Sequence, residues 1–559
     1  MSKQTAKLVE IHMIQNHSPG NMNRDDLGAP KTCIFGGVPR SRVSSQCIKR
    51  SIRNPGNPDD IHNREPGYFA QEMAAHMGTR TKRFPWLVER ALENSAFPKE
   101  ERRRIVKAAQ RIAKTKEKDE SKRTSEPTTD DRAMTPQLIF LRPHEAEAFI
   151  RRLQDLKNED KGKDKYEYFL NPIVGFQEIV ESYLGDLDDK EKERIVKSSW
   201  VIAKCRMKDV LKAAEGEEET PEPPLEDGQP GEGHARAVAE QLLELRTSNP
   251  ERYKALLTKP SEKEKTSLKG DAPAKPKGMR EFRERLKTAM GVSSVDIALF
   301  GRMTTSDAFE DVEAAMQVAH AISTHRAVNE VDYFTAMDDL RKGAAAAHLG
   351  EGQIVSACFY KYFCLDWDQL VHNLAGPEPK EEDSDEQQRW ARDAKPAAER
   401  LAAATLGHFL VAAAETVPSG KKNSSAHFNF PDGILVEIKE KKRPVSYANA
   451  FAVPVPEKCP RGLIGESIAC LGQYVHEIAE GYGLNAERWW FSPDGRYPLN
   501  WVDRNEKEEY KKDKPVVADG DHNLTKLDAL VRAMVKAATG LDWDAVKDAG
   551  KAEGEEPRS

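Results

Sequence analysis

Strand-like alternation appears at both ends of the chain, and a long run of helical, heavily charged sequence lies between. Near the start, Val9, Ile11 and Met13 alternate with Glu10 and His12, the period-two pattern of a half-buried strand. A loop rich in Gly, Asn, Asp and Pro is expected over residues 18–30. The alternation returns far downstream. Ala357, Phe359, Phe363 and Leu365 alternate with Cys358, Tyr360 and Tyr362, and Ile434, Val436 and Ile438 alternate with Leu435 and Glu437. Strands at both ends with helices between them give an α+β class, with one sheet split by a long insertion.

Residues 68–290 are that insertion. Segments 101–114, 143–156 and 190–213 have helical spacing, and the connectors 115–131, 216–233 and 270–278 are too polar to pack. The domain reading is residues 1–67 and 291–355 as early parts of the sheet unit and 356–545 as its remainder. A disordered tail is expected over 546–559. Between the late strands lie an acidic loop at 377–386 and an Ala-rich helix at 397–415, and two more helices are expected around 467–479 and 524–538.

At 559 residues the chain is too long for one core, and 38% hydrophobic with 32% charged residues describes a soluble protein of several units. No apolar run reaches the roughly 18–20 residues of a membrane span, and the N-terminus lacks a signal-peptide pattern. The seven cysteines are scattered without a CxxC pair, so neither a disulfide framework nor a zinc site is expected, and the cytoplasm is the natural compartment. A net charge of −6 argues against a protein that coats nucleic acid with its whole surface. A local basic groove remains open to it.

Such a groove has a candidate. From Lys31 to Arg53 the sequence contains no Asp or Glu. Placed on a helix over residues 44–53, with Ser44 or Ser45 as cap, Lys49, Arg50 and Arg53 share one arc of about 100° and Ile48 and Ile52 a neighbouring stripe. One stripe docks on a sheet while the other presents three cations outward. Lys31, Arg40 and Arg42 add charge upstream, and Gly36 and Gly37 allow backbone to approach a ligand. Ser44, Ser45 and Gln46 supply neutral donors at the helix start, where amides favour phosphate. A solvated basic helix is the plain alternative, but surface helices usually carry both signs, which favours an anionic polymer.

Several motifs in order carry a family resemblance. They are His17-Ser-Pro-Gly-Asn-Met-Asn-Arg-Asp-Asp26, Lys31, Phe35-Gly-Gly37, Arg42-Val-Ser-Ser-Gln-Cys-Ile-Lys-Arg50 and Asp296-Ile-Ala-Leu-Phe-Gly-Arg-Met303. Further along come Gln317 to His325, Asp332 to Asp339, Ala347-His-Leu-Gly350 and Ser446-Tyr-Ala-Asn-Ala-Phe451. Together they resemble the Cascade backbone subunit CasC family of type I-E CRISPR systems, over roughly residues 7–67 and 291–485. The insertion departs from that family in length.

The resemblance implies a palm with an RNA-recognition-like (ferredoxin-like) fold, helical fingers and a hairpin thumb. It implies a CRISPR RNA-binding backbone that polymerises along the guide and presents it to target DNA, without catalysis, cofactor or metal. The implied partners are CRISPR RNA, target DNA, further copies of the chain (about six) in a filament and other Cascade subunits, with no membrane. Lys31, Arg42, Ser44, Gln46, Lys49, Arg50 and Arg53 match the family's RNA-binding loop and helix, and Asn23 and Arg24 the polar loop beside it. Met303, Tyr333 and Phe334 match the residues that wedge into the nucleic acid. On the residues alone, an adjacent aromatic pair on a loop such as Tyr333–Phe334 is more often a small satellite core than a stacking platform, a preference that the resemblance reverses. Lys421 and Lys422, in a glycine-led loop, form either a phosphate contact or a plain surface turn. A backbone that accepts any guide is expected to read phosphate and shape and to leave base identity to pairing.

A metal-dependent ribonuclease of the type III backbone kind is the competing reading, with Asp25, Asp26, Asp338, Asp339, His320 and His325 as its residues. Adjacent carboxylates point apart, and histidines five residues apart miss the i, i+4 spacing of a helical zinc pair. Gly350-Glu-Gly352 lacks the context of a phosphate loop. A scaffold without RNA contact would leave the acid-free basic stretch unexplained.

Overall fold

The computed structural model describes residues 8–56, 65–93, 95, 97–111, 139–141, 145–158, 294–303, 311–336, 348–376, 384–506, 512–517 and 521–551. The expected helix at 190–213 and the connectors 115–131, 216–233 and 270–278 lie outside these residues. The chain forms two compact units, one of residues 1–78, 292–302 and 312–559 and one of 79–291 and 303–311. Residues 68–78, expected in the insertion, thus belong to the first unit.

The first unit is built on a mixed ten-stranded sheet. In chain order its strands are β1 (Leu8–Gly20), β2 (Thr32–Phe35) and β3 (Val38–Val43), after which come helices α1 (Ser45–Arg53) and α2 (Tyr68–Glu72). The second unit holds the paired short strands β4 (Thr79–Thr81) and β5 (Ile139–Leu141) and helices α3 (Phe84–Glu93), α4 (Lys99–Arg111) and α5 (Glu145–Asn158). Phe84 packs edge-on against Phe149 there, among Val88, Leu92, Ile105 and Leu153.

The chain rejoins the first unit at α6 (Val295–Phe300), then β6 (Met316–Val318), β7 (Ala321–Ser323), β8 (Glu330–Ala336) and the long β9 (His348–Asp366). Helices α7 (Trp367–Ala375), α8 (Ser384–Arg389), α9 (Lys395–Glu415) and α10 (Lys422–Ser425) lead to β10 (Gly433–Lys439). The expected acidic loop is therefore helical from Ser384, while 377–383 lie outside the described residues. α11 (Gly462–Tyr482), β11 (Glu487–Phe491), the β12 (Asn500–Val502) and β13 (Asp513–Pro515) pair, β14 (Asn523–Leu524), α12 (Leu527–Thr539) and α13 (Trp543–Val546) complete the unit.

The sheet runs β14-β11-β10-β1-β9-β7-β3-β2, with β6 and β8 also on β9, so the first strand lies between two of the last. All these pairings are antiparallel except β11 with β14. One face carries Val9, Ile11, Met13, Phe363 and Val436 under α1, α7, α9 and α12. The other carries Leu8, Ile14, Tyr360, Leu435 and Trp490 under α11 and the 3₁₀ turn Tyr447–Phe451. β1 is consequently buried on both faces and not on one, and it runs on to Gly20, into the expected loop.

α9 is buried over most of its circumference, which its alanines permit, and Gly407 admits the Trp543 ring where a Cβ would collide. The tail expected from residue 546 is ordered through Lys551: Val546 is buried, Gly550 packs on Met73, and Lys551 pairs with Glu72 at 3.3 Å.

Burying β1 on both faces also buries Glu10 and His12. Glu10 is paired with Lys439, and Glu437 with Arg488 at 2.6 Å, while His12 Nε2 lies 3.5 Å from Glu437. Tyr447 Oη donates to Glu437 at 2.8 Å, and Tyr362 Oη donates to Glu10. Burial opposes ionisation of Glu437, but the His12 hydrogen bond and the charges of Lys439, His12 and Arg488 outweigh it and hold its carboxyl well below the usual range. Among the described residues Glu10, His12 and Glu437 form a group whose ligand atoms all lie within 4.8 Å of one another. Two carboxylates there already face two cations, Lys439 and Arg488, so the cluster is charge-balanced by its own side chains.

Candidate nucleic-acid interface

The basic stretch folds as a hairpin followed by a helix. Gly36 and Gly37 occupy left-handed backbone at φ 59° and 78° and make the two-residue turn between β2 and β3. A side chain at Gly36 would run into the Ala452 carbonyl, so the close approach at Gly36 is to the protein's own backbone, while the space beside Gly37 is open. Ser44 caps α1, its Oγ accepting from Cys47 N at 3.3 Å, and Ile48 and Ile52 dock on the sheet. The adjoining loop is tied to this helix, since Asn23 Oδ1 accepts from Ser44 N at 2.9 Å and Asn23 O from Lys31 N at 2.8 Å. Lys31 O accepts in turn from Arg42 N at 2.8 Å. Asn23 thus has a framework role, whereas Arg24 is exposed.

The cations divide into two groups. Arg50 and Gln46 are exposed at α1, and Lys49 is half buried with its ammonium over the Phe300 ring at 5.6 Å, where burial lowers its pKa. Arg42 N donates to Lys31 O and lies two residues before the Ser44 cap, so Lys31 and Arg42 are joined just ahead of the helix that carries Lys49 and Arg50. Among the described residues no carboxylate pairs with Lys31, Arg42, Lys49 or Arg50. Two other arginines have been withdrawn. Arg40 is fully buried, donating to the carbonyls of Ser323, Thr324 and Phe451. Arg53 was expected on the outward arc, but it is 8% exposed, ion-paired with Asp296, and donates to Gly78 O at 2.7 Å.

Lys421 and Lys422 stand at the start of α10. Gly420 packs against the carbonyls of Asn21 and Met22, and Lys421 Nζ lies against Gly352, so this loop adjoins the Asn21–Pro30 loop and the root of the β8–β9 hairpin. An open depression of about 490 Å³ lies there, lined by Met22, Asn23, Arg24, Asp25, Asp26, Gly28 and Gly420. Tyr333 and Phe334 lie on a strand of that hairpin, 68% and 49% exposed, and do not form a satellite core. As strand neighbours they point to opposite faces, with Phe334 over Gly350. Met303 is 95% exposed and belongs to the second unit.

Asp25 Oδ1 accepts from Leu27 N and Ala29 N, each at 2.9 Å, closing its own loop, and Asp26 is exposed. Asp338 and Asp339 lie outside the described residues. His320 Nδ1 accepts from Ser45 N at 3.1 Å, and His325 Nε2 from Cys358 N at 3.3 Å.

Sequence reading missed the Glu10–Lys439–Glu437–Arg488 network. Its charges come from three neighbouring strands, Glu10 from β1, Glu437 and Lys439 from β10 and Arg488 from β11.

Residues 9–192 and 190–511 match the family model described as CT1975-like protein. No curated protein sequence matches the chain. Among solved structures, a chain of a "CRISPR RNA-guided surveillance complex, pre-nicking" is similar at a TM-score of 0.51 and 21% identity, covering 95% of this chain and 100% of that one. A chain of a "CRISPR RNA-guided surveillance complex" aligns at a TM-score of 0.46 and 19% identity, with the same coverage. The first of these shares the fold, and the match over most of the sequence places the chain in the CT1975-like protein family.

Proposed function

We propose that this protein is a CRISPR RNA-binding backbone subunit of a surveillance complex, of the CasC kind in type I-E systems. It would polymerise along the guide and present it for pairing with target DNA. The observation that carries the reading is the sorting of cations in the acid-free stretch. Arg40 and Arg53 serve the fold, while Lys31 and Arg42 just ahead of α1 and Lys49 and Arg50 on it have no carboxylate partners among the described residues. Motif order, family membership and the shared fold support it. The interleaved order β10-β1-β9-β7 supports reading the sheet as a ferredoxin-like palm, and the exposed β8–β9 hairpin as its thumb.

On this reading the basic surface holds phosphates and leaves base identity to pairing. Arg53 supports the surface from beneath. Tyr333, Phe334 and Met303 stay candidates for the wedge, with Tyr333 and Phe334 acting on opposite faces of the hairpin. The protein acts without catalysis of its own, in the cytoplasm, alongside other Cascade subunits. Among the described residues no helix is long and apolar enough to cross a membrane.

The test is binding of labelled RNA across salt concentrations. Lys49→Ala with Arg50→Ala should weaken unrelated sequences equally and reduce the salt slope by about one per lost phosphate contact. Loss confined to particular sequences would indicate base reading and contradict the proposal.

A further inference from the structure

A second acid-free stretch, from Thr416 to Pro431, carries Lys421 and Lys422 and then Phe428 and Phe430. Beyond α10 it runs alongside the end of β1. Asn429 O accepts from Gln15 Nε2, and Asn429 Oδ1 accepts from Ser18 N and Ser18 Oγ at 3.0 and 3.2 Å. His427 is buried, its Nε2 bonded to Pro418 O at 3.1 Å, and Asp432 N donates to Ile14 O at 2.9 Å. With His427 and Asn429 anchored inward, the residues that alternate with them are turned out, leaving Phe428 59% and Phe430 71% exposed.

Phe428 lies nearly parallel to the His427 ring, centroids 6.0 Å apart, and with Phe430 it still offers exposed aromatic surface beside two lysines. Gly420 seats this loop against Asn21 and Met22, beside the first acid-free surface. A partner that brings negative charge to the lysines and flat apolar faces to the rings is a nucleic acid with unpaired bases, since a duplex hides its base faces.

We propose that Phe428 and Phe430 form a stacking platform for unpaired bases of the strand whose phosphates the neighbouring cations hold. This rests on the nucleic-acid reading given above. It adds a sequence-tolerant contact, because every base has a face to stack.

The test uses the full-length protein and single-stranded RNA carrying 2-aminopurine. Phe428→Leu with Phe430→Leu keeps apolar bulk and removes the aromatic faces. It should weaken single-strand binding about tenfold to a hundredfold and abolish the change in 2-aminopurine fluorescence. The salt slope should be unaltered, because no phosphate contact is lost. Phe428→Tyr with Phe430→Tyr should restore both signals, and binding of fully paired RNA should be insensitive to either variant. Unchanged affinity and fluorescence in the Leu variant would overturn the platform. So would a loss of self-association in sedimentation with RNA binding intact, which would assign the rings to another copy of the chain. Wild-type binding that responds to Lys49→Ala with Arg50→Ala but not to the Phe variants defeats this inference alone. Absence of RNA binding by the wild type defeats the underlying reading as well.

Discussion

Arg53→Ala separates a structural arginine from Arg50, the neighbouring arginine proposed to bind RNA. Arg53 and Asp296 are both buried, and the Asp296 carboxylate also accepts from Gly78 N at 2.7 Å and Ile297 N at 3.1 Å. Removing the guanidinium leaves a buried carboxylate without its counter-charge, a change that costs about 3–5 kcal/mol. At about 2 °C per kcal/mol for a unit of this size, the thermal midpoint should fall by about 6–10 °C. Arg50→Ala removes an exposed side chain and should change stability by no more than about 0.5 kcal/mol while weakening RNA binding. Asp296→Asn added to Arg53→Ala should recover part of the loss, because no buried charge is then stranded. Differential scanning fluorimetry of the four proteins, paired with RNA titration, reads both effects. If Arg53→Ala kept its midpoint and lost RNA affinity as Arg50→Ala does, the division of cations described here would be wrong.

Lys361 lies within the sheet, its pKa lowered by burial from the ordinary 10.5 to about 8. The unfolded chain therefore holds its proton more tightly between those values, and stability should rise with pH across that window. Lys361→Met should stabilise the protein at pH 7 by as much as about 3 kcal/mol, a gain that shrinks from pH 8 to 10.5 in urea titrations; an equal gain at both ends would contradict the assignment. Gly36→Ala should be markedly more destabilising than Gly37→Ala, because only the first meets the Ala452 carbonyl, while both bear the left-handed cost of about 1–2 kcal/mol. Equal midpoints would refute that packing. With Mg²⁺ or Mn²⁺, purified protein should leave bound guide and complementary RNA or DNA intact. Regular metal-dependent cuts abolished by Asp25→Ala would move the protein to the enzyme class.

What the sequence disclosed was mostly local. Ser44 is a cap because its side chain and the amide it accepts are three residues apart, and Ile48 and Ile52 face the sheet because helical spacing puts them there. Long-range partners were illegible. Arg53 shares an arc with Lys49 and Arg50, but Asp296 comes from the far side of the insertion and draws it inward. Glu10 and His12 resemble the solvent face of a strand, and nothing local reveals that α11 and the Tyr447–Phe451 turn cover them. The turn glycines show the same limit. Their conformational freedom was evident, but the hairpin and the Ala452 carbonyl that require it were not.

The central claim is that the surface around α1 holds one kind of RNA by its phosphates. Sequencing the nucleic acid that co-purifies with the protein from cells tests it most directly. The account predicts a single RNA length class, with a constant repeat-derived end and variable sequence between, lost on Lys49→Ala with Arg50→Ala. Random cellular RNA, or none, would contradict it.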